Sequence, residues 1–538
     1  LYFLEGKMKK RFVAAMLAGT MALSILAGCG TSEDTNSVGT SENSNSELVF
    51  VNYRDIRDLN PHLYAGEMYA QSMLYDTLVS ITDDGYEGCL AESWEISEDG
   101  KIYTFKIREG VTFSDGAVCD ANAILANFNA IIANKERHTW LEMMNLLVGV
   151  SAPDDYTFVI ELSEAYYPML TELGCIRPFA MISPNCMIDG QTKDGVNGYI
   201  GTGPYVLTDF VTDEYAVFER NENYWGELPA IEKITVKVIP DNQTRIMALE
   251  SGEIDLIFGK NMLDADAISQ YTDSDKFTVS LSDPTSTRHI VLNTTNDILS
   301  DVTVRQALQH ATDRNAISEG IFYGLEQPAD TLYSKTVPYC DVDLEPYEYS
   351  ADTASEMLEK AGWIMGKDGI RYKYGQKLEL ELLYNSDSVT EKTISEYLQS
   401  EYAKLGISIN IHGEEEQSYR DSMKAGNFDM VFNICWGMPY DPQSSLAAMR
   451  APVYGDYAAQ LGLEDKAEID KAITDILTST DETERQELYT FVLTRLHEDA
   501  VYIPLTYECN KALYTSDLQG VHFGTDQYDV PFADMYFE

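Results

Sequence analysis

A chain of 538 residues with 88 Asp and Glu against 38 Lys and Arg has a formal charge of −50 and lacks the cationic surface on which nucleic-acid binding rests. The same charge would be repelled by anionic lipid headgroups. At 44% apolar and 11% aromatic residues the body can bury a real core, which excludes a disordered chain, and the length predicts about two to four folding units.

The first segment is an address. Lys9, Lys10 and Arg11 precede a 15-residue apolar run from Phe12 to Leu26, too short for a membrane span and patterned as a signal peptide over residues 8–28. The run ends in Leu26-Ala27-Gly28-Cys29, which resembles the lipobox of bacterial lipoproteins and so implies diacylglycerol on Cys29. Residues 29–47 then read as a flexible tether: from Thr31 to Glu47, 11 of 17 residues are Ser, Thr or Asn. Cleavage would remove four cations and one anion, leaving the body more acidic still.

The body mixes strands and amphipathic helices. Ile102–Ile107 and Thr157–Leu162 alternate as strands. Asp120 is placed to cap a helix that presents Ile124, Leu125, Phe128, Ile131 and Ile132 on one face. Arg137 and Trp140, three residues apart, fit one helix face. Between 378 and 412 the pattern is strand, helix, strand: Leu378, Leu380 and Leu382 alternate, Ile394, Leu398, Tyr402 and Leu405 follow helical spacing, Gly406 stops the helix, and Ile407, Ile409 and Ile411 alternate again. A last long helix begins at Asp481-Glu482 and carries Leu488, Phe491, Val492 and Leu496. With no long linker inside the body, the units are expected to share strands. The seven cysteines beyond Cys29 are scattered, and buried thiols are expected over a Cys175–Cys186 disulfide.

Enzyme signatures are missing: there is no H-E-x-x-H, G-x-S-x-G, P-loop or dinucleotide fingerprint. Pro204 removes a backbone donor from Gly201-Thr202-Gly203-Pro204, so this is no phosphate cradle. The acidic run Glu414-Glu415-Glu416 reads as a solvated face. A metal-dependent hydrolase is accordingly disfavoured.

Leu90-Ala91-Glu92-Ser93-Trp94, Asp99 to Phe105 and Arg108 to Gly116 resemble extracellular solute-binding protein family 5, the peptide, nickel and haem receptors of bacterial ABC importers. Gly201 to Tyr205, Arg220 to Gly226, Ile254-Asp255-Leu256 and Val304 to Leu308 continue the resemblance in order. Asn60 to Tyr64, Arg137 to Glu142, Arg177-Pro178-Phe179, Trp436 to Pro442 and Met449 to Pro452 are similar to the nickel-receptor branch of that family. The resemblance implies an α/β, two-lobed periplasmic-binding-protein-like fold of the larger class, with mixed sheets and hinge strands. Lobe I would hold residues 48–287 with 509–538, and lobe II 288–508. It also implies a monomer with an ABC permease as partner, anchored to the outer face of the cell membrane, with no cofactor of its own.

The implied ligand is nickel, or a similar divalent metal, inside a carboxylate- or histidine-type chelate. Arg177 would clamp a carboxylate through its planar fork, with Arg137 behind it. Trp140 and Trp436 would supply flat walls, Tyr64 and Tyr440 rim hydroxyls, and Met68 a thioether. Each also has a bland reading, since a lone Arg is usually a surface ion pair and a lone Trp usually core. Where nickel members carry a ligating His after the Met-Arg-x-Pro segment, this chain has Tyr454, a poor metal ligand at pH 7. His62 and His138 lie beside these motifs but are not expected to bind metal. A di- or oligopeptide receptor, or one for an opine-type metallophore, is the alternative on the same fold.

Overall fold

The computed structural model describes residues 46–82, 85–260, 262–435 and 442–538. The leader, Cys29, nearly all of the tether, Trp436 and Tyr440 lie outside the described residues. Glu47, read from sequence as the end of the tether, is already the first residue of a strand.

One eleven-stranded sheet organises the body. Its strands are β1 (Glu47–Asn52), β2 (Tyr205–Val211), β3 (Tyr215–Arg220), β4 (Lys233–Val238), β5 (Leu256–Phe258), β6 (Phe277–Leu292), β7 (Gln327–Pro328), β8 (Glu379–Asn385), β9 (Ser408–Glu414), β10 (Met430–Cys435) and β11 (Tyr502–Thr515). They lie in the order β2-β3-β4-β1-β5-β11-β6-β10-β8-β9, with β7 beside β11. The two long strands β6 and β11 run antiparallel through the middle. At one end Phe277 faces Thr515 while β11 pairs with β5; at the other, Thr287–Leu292 of β6 pairs with β10. The register between β6 and β11 shifts three times from Leu281 to His289, where Pro284 interrupts the ladder. Two mixed half-sheets therefore share two crossing strands, the two-lobed periplasmic binding fold.

Local chemistry explains the elements. The Asp120 carboxylate accepts from the Ala123 N–H and starts the helix Ala121–Ala133, whose Ile124, Phe128 and Ile131 are fully buried. That helix packs with a four-stranded antiparallel sheet, Ala91–Ile96, Ile102–Ile107, Thr157–Leu162 and Leu147–Asp154 in spatial order. β8, the helix Val389–Lys404 and β9 form the expected strand-helix-strand unit with parallel strands. Gly406 takes φ +81° just past the helix, a conformation that favours glycine. Asp481 caps Glu482–Glu498 by accepting from Thr483 and Glu484. The seven cysteines of the described residues are all buried, Cys175 donating its thiol to the Thr171 carbonyl.

The motifs that carried the family resemblance hold the fold together. Thr202 Oγ1 and Trp225 Nε1 both donate to Asp76, at 2.8 and 2.9 Å, and Asn221 donates to the Gly203 carbonyl. Gly201 is required by close approach: a Cβ there would stand 2.0 Å from the Leu74 carbonyl oxygen. Gly201→Ala is therefore expected to destabilise the protein by about 3 kcal/mol, because backbone rather than a flexible side chain must move. Urea unfolding checks it, and an unchanged midpoint would refute the contact.

Candidate functional site

A cavity of about 940 Å³ is lined by residues from five distant stretches: 50–69, 139–177, 258–262, 443–454 and 510–530. Of the residues singled out from sequence, Tyr64, Met68, Trp140, Arg177 and Tyr454 line it.

Tyr64, His138 and Trp140 form one unit. Trp140 Nε1 donates to Tyr64 Oη at 2.8 Å, and Tyr64 Oη lies 2.7 Å from His138 Nδ1. The indole donates to the phenol oxygen, and the phenol and His138 Nδ1 share the second hydrogen bond, with His138 Nε2 buried and without a partner among the described residues. Burial, aided by Arg137, lowers the His138 pKa to about 4, which keeps the ring neutral in this role. Burial raises Tyr64 to about 12. The result is a fixed, neutral aromatic corner, with the Trp140 indole 46% exposed toward the opening.

Arg137 takes a different place from Arg177. It is exposed, sits 5.7 Å over the Tyr64 ring and lies behind the corner, outside the cavity lining. Nor do Arg137 and Trp140 share a helix face. The helix ends at Ala133, Lys135–His138 is a single 3₁₀ turn, and Trp140 stands beyond it, before the short helix Glu142–Leu146. His138, the last residue of that turn, is buried.

Arg177 is half-buried at the cavity wall. Its Nη1 donates to the Gly66 carbonyl at 3.3 Å, and among the described residues no carboxylate comes within salt-bridge distance of it. Desolvation lowers its pKa while Glu67 and Asp526 act in the opposite sense from a distance. The guanidinium remains charged and largely unspent.

Sequence reasoning missed several lining groups, because nothing in their spacing marks them. Arg54 is paired with Glu67 at 2.6 Å, and Glu67 also accepts from Asn52. Lys260 donates to Ser286 and Gln527 at 2.7 and 2.8 Å. Arg450 donates to Thr474 at 2.8 Å. Glu172, raised to about 7 by burial, accepts from Tyr166 Oη and from the backbone of Glu142 and Met143. Tyr454 precedes the helix Gly455–Gln460, and burial raises its phenol, so it faces the cavity neutral. His62 is buried away from the lining with Nδ1 2.9 Å from Thr192 Oγ1, its pKa pushed down to about 3 by burial. Among the described residues no three His, Cys, Asp or Glu side chains cluster as a metal site, and no helix is long and apolar enough to cross a membrane.

The arrangement can take an anion with flat or apolar parts. Among the described residues two guanidiniums of the lining, Arg177 and Arg450, have no carboxylate within salt-bridge distance, each holding one neutral acceptor, whereas Arg54 and Lys260 lie within salt-bridge distance of Glu67 and Glu508.

Known proteins share this architecture. The model of the bacterial extracellular solute-binding proteins, family 5, matches residues 85–456. The nickel-binding periplasmic protein of Escherichia coli K12 is 41% identical over 486 residues, covering 89% of this chain and 93% of its own. NikA from Brucella suis, solved in complex with Fe(III)-EDTA, superimposes with a TM-score of 0.89 at 43% identity, covering 91% of this chain and 100% of that one. The periplasmic oligopeptide-binding protein of Salmonella typhimurium is 27% identical, covering 97% of each chain. A two-lobed fold built on crossing strands, the structural motifs around Asp76 and a match over most of the body lead to one conclusion: the chain belongs to the extracellular solute-binding proteins of family 5.

Proposed function

We propose that this solute-binding protein captures nickel, or a similar divalent metal, as a carboxylate- or histidine-type chelate and delivers it to an ABC importer. The observation that carries the reading is Arg177: a charged guanidinium, desolvated at a cavity wall, whose fork has no carboxylate partner among the described residues. A chelator's carboxylate supplies that partner through charge-assisted hydrogen bonds. Trp140 and Tyr64 offer the flat wall such a ligand packs against, with Met68 and Tyr454 completing the lining. Arg137 acts through Tyr64, and Trp436 and Tyr440 are proposed as lining by resemblance. Similarity to a nickel-binding protein, and to a structure holding a metal in the carboxylate chelator EDTA, supports the same ligand class. The neutral Tyr454 favours a metal whose ligands come chiefly from the chelator.

The lobes are assigned to residues 48–287 with 509–538, and to 288–508, closing as a monomer around β6 and β11. Lipid on Cys29 would hold the body at the outer face of the membrane, with residues 29–47 as tether.

Peptide capture is the second reading. It is favoured by the similarity to an oligopeptide receptor and by acidic Glu67, Glu142 and Asp529 lining the same cavity as Arg177, a pattern that could hold both ends of a peptide. Isothermal titration with nickel alone, nickel with histidine, and dipeptides separates the two. The expected result is heat with a nickel chelate. Silence toward every nickel chelate combined with micromolar dipeptide binding overturns the metal reading.

A further inference from the structure

Tyr166 and Pro168 line the cavity, while Tyr167 between them does not. The segment Tyr166–Glu172 therefore faces two ways. On the inner side, Tyr166 Oη donates to Glu172 Oε1 at 2.6 Å. Glu172 in turn accepts from Glu142 N on Oε1 and from Met143 N on Oε2, both at 3.1 Å. Those two N–H groups open the short helix that follows Trp140, so a buried carboxylate pins the loop that presents the indole. On the outer side, Tyr167 Oη donates to Glu482 at 2.7 Å, and its ring lies 3.4 Å from the Arg485 guanidinium carbon. Tyr167 N donates to the Leu477 carbonyl at 3.0 Å. Tyr339 Oη donates to the second oxygen of Glu482 at 2.5 Å, and Arg485 is fully buried. Tyr166 packs in the core of the four-stranded sheet, whereas Tyr489 belongs to a separate core drawn from residues 291–502, against which Tyr339 packs. Tyr167 thus bridges two cores through a bond between residues 315 apart in sequence.

We propose that the segment Tyr166–Glu172 is a retention strap, in which Glu172 positions the Trp140 wall and Tyr167 ties that wall to the Glu482–Arg485 corner, so that together they set how slowly a bound solute leaves. The inference rests on the reading that the cavity is the solute site. It assigns Tyr167, which lies outside the cavity lining, to retention, not to ligand contact. Both ties are made inside the protein, so their loss acts on escape more than on encounter.

The variants are Tyr167→Phe, which keeps the stacked ring and removes the hydroxyl, and Glu172→Gln, whose amide cannot accept at both oxygen positions and turns an N–H toward a backbone N–H. The probe is nickel(II) with excess histidine, followed by stopped-flow tryptophan fluorescence. Each variant is expected to release the probe about 10-fold faster, and in Tyr167→Phe, which lies outside the cavity lining, the association rate and thermal midpoint should be little changed. Wild-type dissociation rates in both variants overturn the proposal. Hydrogen–deuterium exchange of the ligand-free protein decides separately: exchange should rise at 139–146 in Glu172→Gln, and at both 164–173 and 476–486 in Tyr167→Phe. Unchanged protection overturns the strap even where the probe binds. A wild-type protein that ignores nickel–histidine overturns the earlier ligand reading, while the exchange data still judge the strap.

Discussion

Arg177→Ala is expected to weaken binding of an anionic nickel chelate by roughly 30- to 100-fold, about 2–3 kcal/mol, while leaving the fold as stable as before. The two halves of this result come from one geometry. Within the protein Arg177 holds a single carbonyl and no carboxylate among the described residues, so its removal deletes a desolvated charge and little else. In the bound protein the same guanidinium would meet a carboxylate in a cavity that excludes much of the water, where charge-assisted bonds are strongest. Arg177→Lys keeps the charge but loses the fork, and should recover part of the affinity. Titration calorimetry and urea unfolding of the variants read both quantities. A collapse in stability would make Arg177 a structural residue, and unchanged affinity would remove it from the site.

Glu508→Gln should cost about 3–5 kcal/mol of stability, the largest effect expected on the fold. Glu508 lies on β11 at the crossing of the two half-sheets, buried, bonded to Arg288 and Ser286 and 3.5 Å from Lys260. Glu326 nearby serves Lys511 at 3.5 Å and Arg288 at 3.9 Å. With Glu508 neutralised, Arg288 and Lys511 would keep Glu326 as their contacting carboxylate while Lys260 would have none among the described residues, and buried charge without compensation is what proteins tolerate least. Burial alone would raise the Glu508 pKa, but Arg288 first and Lys260 next outweigh it and hold the group at about 2. A depressed carboxylate contributes stability that is fully present above its unfolded value of 4.5 and is lost as pH falls toward 2. The gap between wild type and variant should therefore be widest above pH 4.5 and close below it. Urea unfolding at several pH values measures this, and a gap independent of pH would contradict the ionic account.

What the sequence made legible, and what it did not, follows from the range of each interaction. The Asp120 and Asp481 caps, the unit from β8 to β9 and the stop at Gly406 depend on neighbours within a few residues, and periodicity exposes them. The expectation of buried thiols held for Cys89 through Cys509 because scattered spacing offers no pairing. The spacing of Arg137 and Trp140 fits one helix face but cannot register that the helix ends at Ala133 and that Arg137 falls in a separate 3₁₀ turn. The cavity was legible at Tyr64, Met68, Trp140, Arg177 and Tyr454 through family resemblance. Lys260, Glu172 and Arg450 carry no spacing signal, since their neighbours arrive from other strands and helices. The Arg288–Glu508 pair, 220 residues apart in sequence, becomes visible once β6 and β11 cross.

Native mass spectrometry of the protein purified without added ligand from a cell that exports it tests the central claim most directly. The account predicts an added mass that carries the isotope pattern of nickel or a similar divalent metal together with an organic chelator bearing carboxylates, lost in Arg177→Ala. A bound peptide without metal would contradict it.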